Sequence, residues 1–266
     1  MPRHNPLMPL HWPFQNRRAQ IAGQPFPDHW LPILDTKVKQ YRLLTTEERT
    51  RLRTDLRIFL AEKYWEGAGG LEIDDEVKVT ISALACLLTV GFAQHEYYPN
   101  VQTIVVYPGA YVASSARSSY DRRMIDVDAE PRLGEAHGVG PVVLSWDDVV
   151  DGGQRDDDGH NLVFHEFAHK LDFRDGDANG VPLLRDQNEI DAWSRVMSAE
   201  YQQLVDDATH HRHTPLQSYG TTNPAEFFAV CTECFFEKSI ALRDQKPELY
   251  AVLSDYYGVD WASRVA

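Results

Sequence analysis

Residues 161–172 read Asn-Leu-Val-Phe-His-Glu-Phe-Ala-His-Lys-Leu-Asp, an apolar stretch free of glycine and proline that spaces His165, Glu166 and His169 as His-Glu-x-x-His (HExxH). Its apolar residues recur at helical intervals, which predicts a helix. Residues four apart project from one helical face, one above the other. His165 and His169 can therefore offer two imidazole nitrogens to a single ion, with Glu166 on the adjacent flank. A zinc ion so held lowers the pKa of a water molecule from about 15.7 toward roughly 7, and the neighbouring carboxylate is placed to accept its proton during attack on a carbonyl carbon. The plainer alternative is two histidines in a core or on a surface. Burying two imidazoles and a carboxylate among Phe164, Phe167, Ala168 and Leu171 is costly unless something coordinates or pairs them, and this favours the ion.

Catalytic zinc takes three protein ligands and leaves one position open. No histidine follows His169 at short spacing, which leaves His210, His211, His213, Glu226 and Glu233 as candidates. Glu226 is favoured. Its segment, residues 223–236, has Pro224 at the first turn of an expected helix and a strongly apolar body, where a carboxylate calls for a cationic partner. The three histidines lie in a polar stretch and are expected to be exposed loop residues.

Glu233, seven residues beyond Glu226, shares its helical face, and two roles stay open for it: orienting a ligand or forming a buried ion pair. Asp172, three residues after His169, is placed either to touch the site or to make a local cap or salt bridge. Tyr219 precedes the expected helix, where a phenol can donate a hydrogen bond to a developing oxyanion, although tyrosines usually just pack. Cys231 and Cys234 form a C-x-x-C without a second pair and are read as small core residues. The aspartates and glycines of residues 147–159 have the composition of a solvated loop and lack the spacing of a calcium-binding one.

These groups need a scaffold. Thr45 and Glu48 form a capping box ahead of Leu52, Leu56, Phe59 and Leu60, which predicts a helix over residues 46–65 that ends at Gly67, Gly69 and Gly70. A second helix is expected from near Asp74. Residues 101–107 and 141–146 are rich in β-branched and apolar side chains and predict strands, with hairpin-like or loop connections across 114–140. Residues 1–27 carry many prolines and no period, predicting an extended arm, and residues 28–266 are read as a single domain.

A chain of 266 residues, 43% hydrophobic, can bury a substantial core. Its net charge of −14 argues against nucleic acid or an anionic membrane surface as a partner, since both are polyanions. Three cysteines make no disulfide framework, and the prolines of the N-terminal stretch interrupt any signal-peptide core, so a cytoplasmic location is expected. The most apolar run, residues 81–92, is far short of the roughly 20 residues that span a membrane.

With His-Glu-Phe-Ala-His-Lys-Leu-Asp at 165–172, Arg174-Asp-Gly-Asp after it, Tyr219, and Asn-Pro-Ala-Glu-Phe-Phe-Ala-Val at 223–230 followed by Glu233, Phe235 and Phe236, the chain resembles the Mlc titration factor A family of bacterial peptidases. Weaker similarity extends from about Trp30 through Val105-Val106-Tyr107-Pro108 and residues 141–146. The resemblance implies one zinc ion held by His165, His169 and Glu226, with Glu166 as base and Tyr219 as transition-state stabiliser. It implies an α+β, zincin-like domain with a small mixed sheet, similar to the catalytic domain of anthrax lethal factor. Aminopeptidase-type activity on peptides and binding of the transcriptional repressor Mlc, which governs sugar-uptake genes, are further implications. A regulator that sequesters a transcription factor without catalysis is the rival reading. Glu166 favours catalysis, because a structural zinc site needs no base and fills its fourth position with protein.

Overall fold

Capping side chains set where most of the longer helices begin. Thr45 and Glu48 close the expected capping box, with Thr45 Oγ1 accepting from the Glu48 N–H (3.3 Å) and Glu48 Oε2 accepting from the Thr45 N–H (3.0 Å). Asp74, Ser145, Asn161, Asp186 and Asn223 open later helices, each with its side chain accepting a backbone N–H of the first turn. The structure, a computed structural model, describes residues 12–94, 97–109, 140–155 and 157–265.

The order of the longer elements is α1 (Trp12–Ala22), α2 (Leu31–Lys37), α3 (Thr46–Glu62), β1 (Tyr64–Gly67), α4 (Asp75–Leu87), β2 (Thr103–Tyr107), β3 (Val142–Ser145), α5 (Trp146–Gln154), α6 (Leu162–Asp172), α7 (Gln187–Thr209), α8 (Pro224–Glu237), α9 (Ser239–Gln245), α10 (Pro247–Tyr257) and α11 (Ala262–Val265). The architecture is α+β, with a three-stranded sheet ordered β1-β2-β3 among the described residues. Both pairings among the described residues are parallel, Tyr64 opposite Thr103 and Ile104 opposite Val142; an antiparallel member of the expected mixed sheet is not among them. For the first pair the cause is topological: α4 carries the chain from β1 back to the start of β2, and a helical crossover returns a strand in the same direction. Most of the segment expected to hold hairpins or loops, 114–140, lies outside the described residues.

Three further expectations are revised. Residues 12–22 of the expected extended arm form α1, where the chain after Pro13 is free of proline and Arg18 grips Glu62 of α3 through two bonds of 2.6 and 2.9 Å. The remainder of that arm up to residue 11 lies outside the described residues. The helix expected over 46–65 stops at Glu62, and β1 follows. Lys63 turns extended there, its ammonium held by the carbonyls of Tyr97, Tyr98 and Val101 at 2.7–2.8 Å, and the Tyr64 N–H joins the carbonyl of Gln102. The acidic stretch expected as a loop contains α5. Ser145 caps it, Asp147 and Asp148 sit where the helix dipole favours anions, and Val149 is buried.

The core joins these layers. Ile104, Val106, Val142 and Leu144 of the sheet belong to the same buried cluster as α4, α6 and α8. Phe59, Tyr98 and Phe167 pack ring against ring at 4.8–6.0 Å. Helices α6 and α8 lie side by side and antiparallel, since the start of α6 meets Glu237 while the loop beyond its end meets Pro224. Among the described residues no helix is long and apolar enough to cross a membrane.

Candidate metal centre

Helix α6 exists because an apolar run begins directly after Asn161, whose Oδ1 accepts the Phe164 N–H at 3.1 Å. The result places His165 and His169 on one face, both buried, with Nε2 atoms 3.2 Å apart. Helix α8 brings in the third group. Asn223 accepts the N–H of Glu226 (2.9 Å), Pro224 occupies the first turn, and the Glu226 side chain points at α6. Its Oε2 lies 3.0 Å from His165 Nε2 and 3.3 Å from His169 Nε2.

This triangle can be tested against an ion. Zinc bonds of about 2.0–2.1 Å in a tetrahedral shell put ligand atoms about 3.3 Å apart. The observed edges of 3.0, 3.2 and 3.3 Å match that face. The donor set of two imidazoles and one carboxylate suits zinc, and among the described residues these three form the group able to hold a metal ion.

Electrostatics follow from the burial. Desolvation alone would strip charge from both partners, yet their contact outweighs it. Hydrogen bonds from His165 and His169 hold the Glu226 carboxyl far below the usual carboxylate range despite its burial. Burial likewise pulls the His165 pKa down, but the hydrogen bonds and charges of Glu226 and Glu233 lift it well above the usual imidazole value. The pocket thus favours positive charge at the centre of the triangle.

The other expected residues fall into place around it. Glu233 lies behind the His165 ring, with Oε1 2.8 Å from Nδ1, a contact that is at once a buried ion pair and a place from which to orient the ring. Glu166 is half-buried on the flank of α6, close enough to Lys170 for its charge to oppose the fall that burial causes in the lysine pKa. Tyr219 sits on the turn Ser218–Thr221, its ring centre 5.9 Å from that of His165. Asp172 turns to the following loop, where its Oδ2 accepts the Gly180 N–H at 2.9 Å. His210, His211 and His213 are exposed at the end of α7, and His210 pairs with Asp206 at 3.0 Å. Cys231 and Cys234 are free thiols in the core.

Two residues escaped the sequence reading. Asn161 and Glu237 are bonded to each other (3.0 Å) and lie directly behind Glu233. The helix-opening asparagine and the spacing of Glu226, Glu233 and Glu237 along one helical face were visible signals.

An α+β chain with a His-His-Glu triangle between two antiparallel helices, and a further glutamate beside it, has the form of a metallopeptidase. Comparison with known proteins agrees. The sequence model described as glucose-regulated metallo-peptidase M90 matches residues 12–258, and the chain belongs to that family, which is also the family of Mlc titration factor A. It is 38% identical over 248 residues to "Uncharacterized protein slr2042" of Synechocystis sp., covering 93% of this chain and 89% of the relative. It is 30% identical over 256 residues to "Mlc titration factor A" of Escherichia fergusonii, covering 94% and 91%, and 29% identical over 260 residues to the protein of that name in Cronobacter sakazakii, covering 94% and 92%.

Proposed function

We propose that the chain is a zinc-dependent peptidase with aminopeptidase-type activity, holding one zinc ion through His165, His169 and Glu226. The observation that carries this reading is the triangle of donor atoms with edges of 3.0–3.3 Å. When bound, the ion supplies Lewis acidity, which acidifies water and polarises a peptide carbonyl. The chain's own groups do the rest. Glu166 takes a proton from the attacking water and delivers it to the departing amine. The Tyr219 hydroxyl donates to the oxygen that gains charge as the carbonyl is attacked. Glu233 keeps the His165 ring aimed. A peptide substrate would add as a strand at the edge of the zincin-like sheet, for which the outer side of β3 is the candidate.

A second role has its own support. Relatives spanning nearly the whole chain are named Mlc titration factor A. Binding of a transcriptional repressor of the Mlc type in the cytoplasm, alongside or instead of hydrolysis, extends that name to this chain. Peptide hydrolysis and repressor binding by wild type and Glu166→Gln separate the two roles. Hydrolysis lost in the variant with repressor binding kept supports both. Hydrolysis by neither protein overturns the peptidase reading in favour of the regulator.

A further inference from the structure

Glu226, Glu233 and Glu237 run along one face of α8, and each meets α6 differently. Glu226 faces the two imidazoles, Glu233 holds Nδ1 of His165, and Glu237 lies one turn further on against Asn161. Asn161 is only 1% exposed and every polar group it has is engaged. Its Oδ1 caps α6 at Phe164 (3.1 Å). Its Nδ2 donates to the Gly152 carbonyl of α5 (2.9 Å) and to Glu237 Oε1 (3.0 Å). Its backbone N–H donates to Glu233 Oε2 at 2.7 Å, and its carbonyl accepts the His165 N–H at 2.9 Å.

We propose that Asn161 is a positioning residue for the metal centre: by bonding Glu233 from its backbone and Glu237 from its side chain, it fixes the carboxylate that aims the His165 ring. The inference rests on the reading of His165, His169 and Glu226 as a metal site.

A cap needs only an acceptor, and serine or aspartate caps a helix about as well as asparagine. Asparagine alone among these adds two N–H donors, and both are used here. Burial, with the charge of Glu233 adding to it, pushes the Glu237 carboxyl well above its usual range against the Asn161 hydrogen bond. Helix α5 completes the support through Gly152, where a Cβ would stand 3.0 Å from Asn161 Cα and 3.2 Å from its Cγ.

The test uses the full chain and measures zinc affinity by competition with a chromogenic chelator, alongside thermal unfolding of the metal-free protein. Asn161→Ser keeps the cap and the backbone N–H to Glu233 but loses the amide donors that hold residue 161 in place against Gly152 and Glu237. It is expected to weaken zinc binding about 10-fold or more while the metal-free form still unfolds cooperatively. In a Glu233→Ala background the same substitution is expected to change affinity less than about twofold, because its route to the metal has gone. Glu237→Gln, which keeps an acceptor for the Asn161 amide, is expected to stay within about twofold of wild type. Asn161→Ser binding zinc as tightly as wild type, or losing the same factor without Glu233, overturns the proposal. Should Asn161→Ser not fold, Glu237→Ala, which leaves the cap intact, carries the same two comparisons. A wild-type chain that binds no zinc sinks the metal reading itself, before any substitution is compared.

Discussion

Glu233 Oε1 lies 2.8 Å from Nδ1 of His165, at the opposite edge of the ring from Glu226. A carboxylate there accepts a hydrogen bond from Nδ1, an arrangement that leaves Nε2 to face an ion held in the triangle. Glu233→Gln replaces that carboxylate with an amide that can present either a donor or an acceptor to Nδ1. Zinc affinity measured against a chelator is expected to fall about 10- to 100-fold, whereas retention within twofold would show that the contact only fills space.

Glu166 and Tyr219 make a different prediction, because neither belongs to the donor triangle. Glu166→Gln is expected to lower kcat on peptide substrates by about 10²- to 10⁴-fold. Tyr219→Phe should lower it by about 10²-fold, as for loss of one oxyanion donor, with KM little changed. Zinc content should match wild type in both. Steady-state kinetics with metal analysis on the same preparations checks this, and a fall in zinc content would reassign either residue to metal binding.

Burial pushes the Asp172 carboxyl up from 3.8 to about 6. A raised carboxyl is charged at neutral pH at a cost to the folded state. That cost is complete above about pH 6 and fades as pH falls toward 3.8, where both folded and unfolded chains hold the proton. Asp172→Asn keeps an acceptor for the Gly180 N–H. It is expected to stabilise the metal-free protein at pH 7.5 by up to about 3 kcal/mol and to give no gain near pH 4. Denaturant unfolding at the two pH values measures this; an equal effect at both would contradict the titration.

Gly180 adopts φ +78°, and a Cβ there would lie 2.4 Å from the carbonyl oxygen of Pro224, at the start of the helix that carries Glu226. Gly180→Ala is expected to cost about 1–3 kcal/mol of stability and to loosen zinc binding by shifting α8. Unchanged stability would mean that the loop moves freely away from α8.

Much of the candidate site was legible because its information is local. The spacing of His165 and His169 fixes a shared helical face, and Asn223-Pro224 announces the helix that carries Glu226. What stayed hidden depends on contacts between distant segments. Lys63 leaves the helical pattern for β1 because three carbonyls near residue 100 hold its ammonium. Residues 147–154 are acidic enough for a loop, yet a serine cap and a buried Val149 make them helical. The direction of β2 relative to β1 follows from the α4 crossover, which no strand sequence records. The roles of Glu233, Asn161 and Glu237 required α6 and α8 to be placed antiparallel, with residues 161 and 237 brought together.

The central claim is that His165, His169 and Glu226 hold one metal ion between α6 and α8. Metal analysis of the purified chain beside Glu226→Ala tests it most directly. About one zinc per chain is expected in the wild type and strong depletion in the variant. A wild type without stoichiometric metal, or a Glu226→Ala chain that retains zinc as the wild type does, would contradict it.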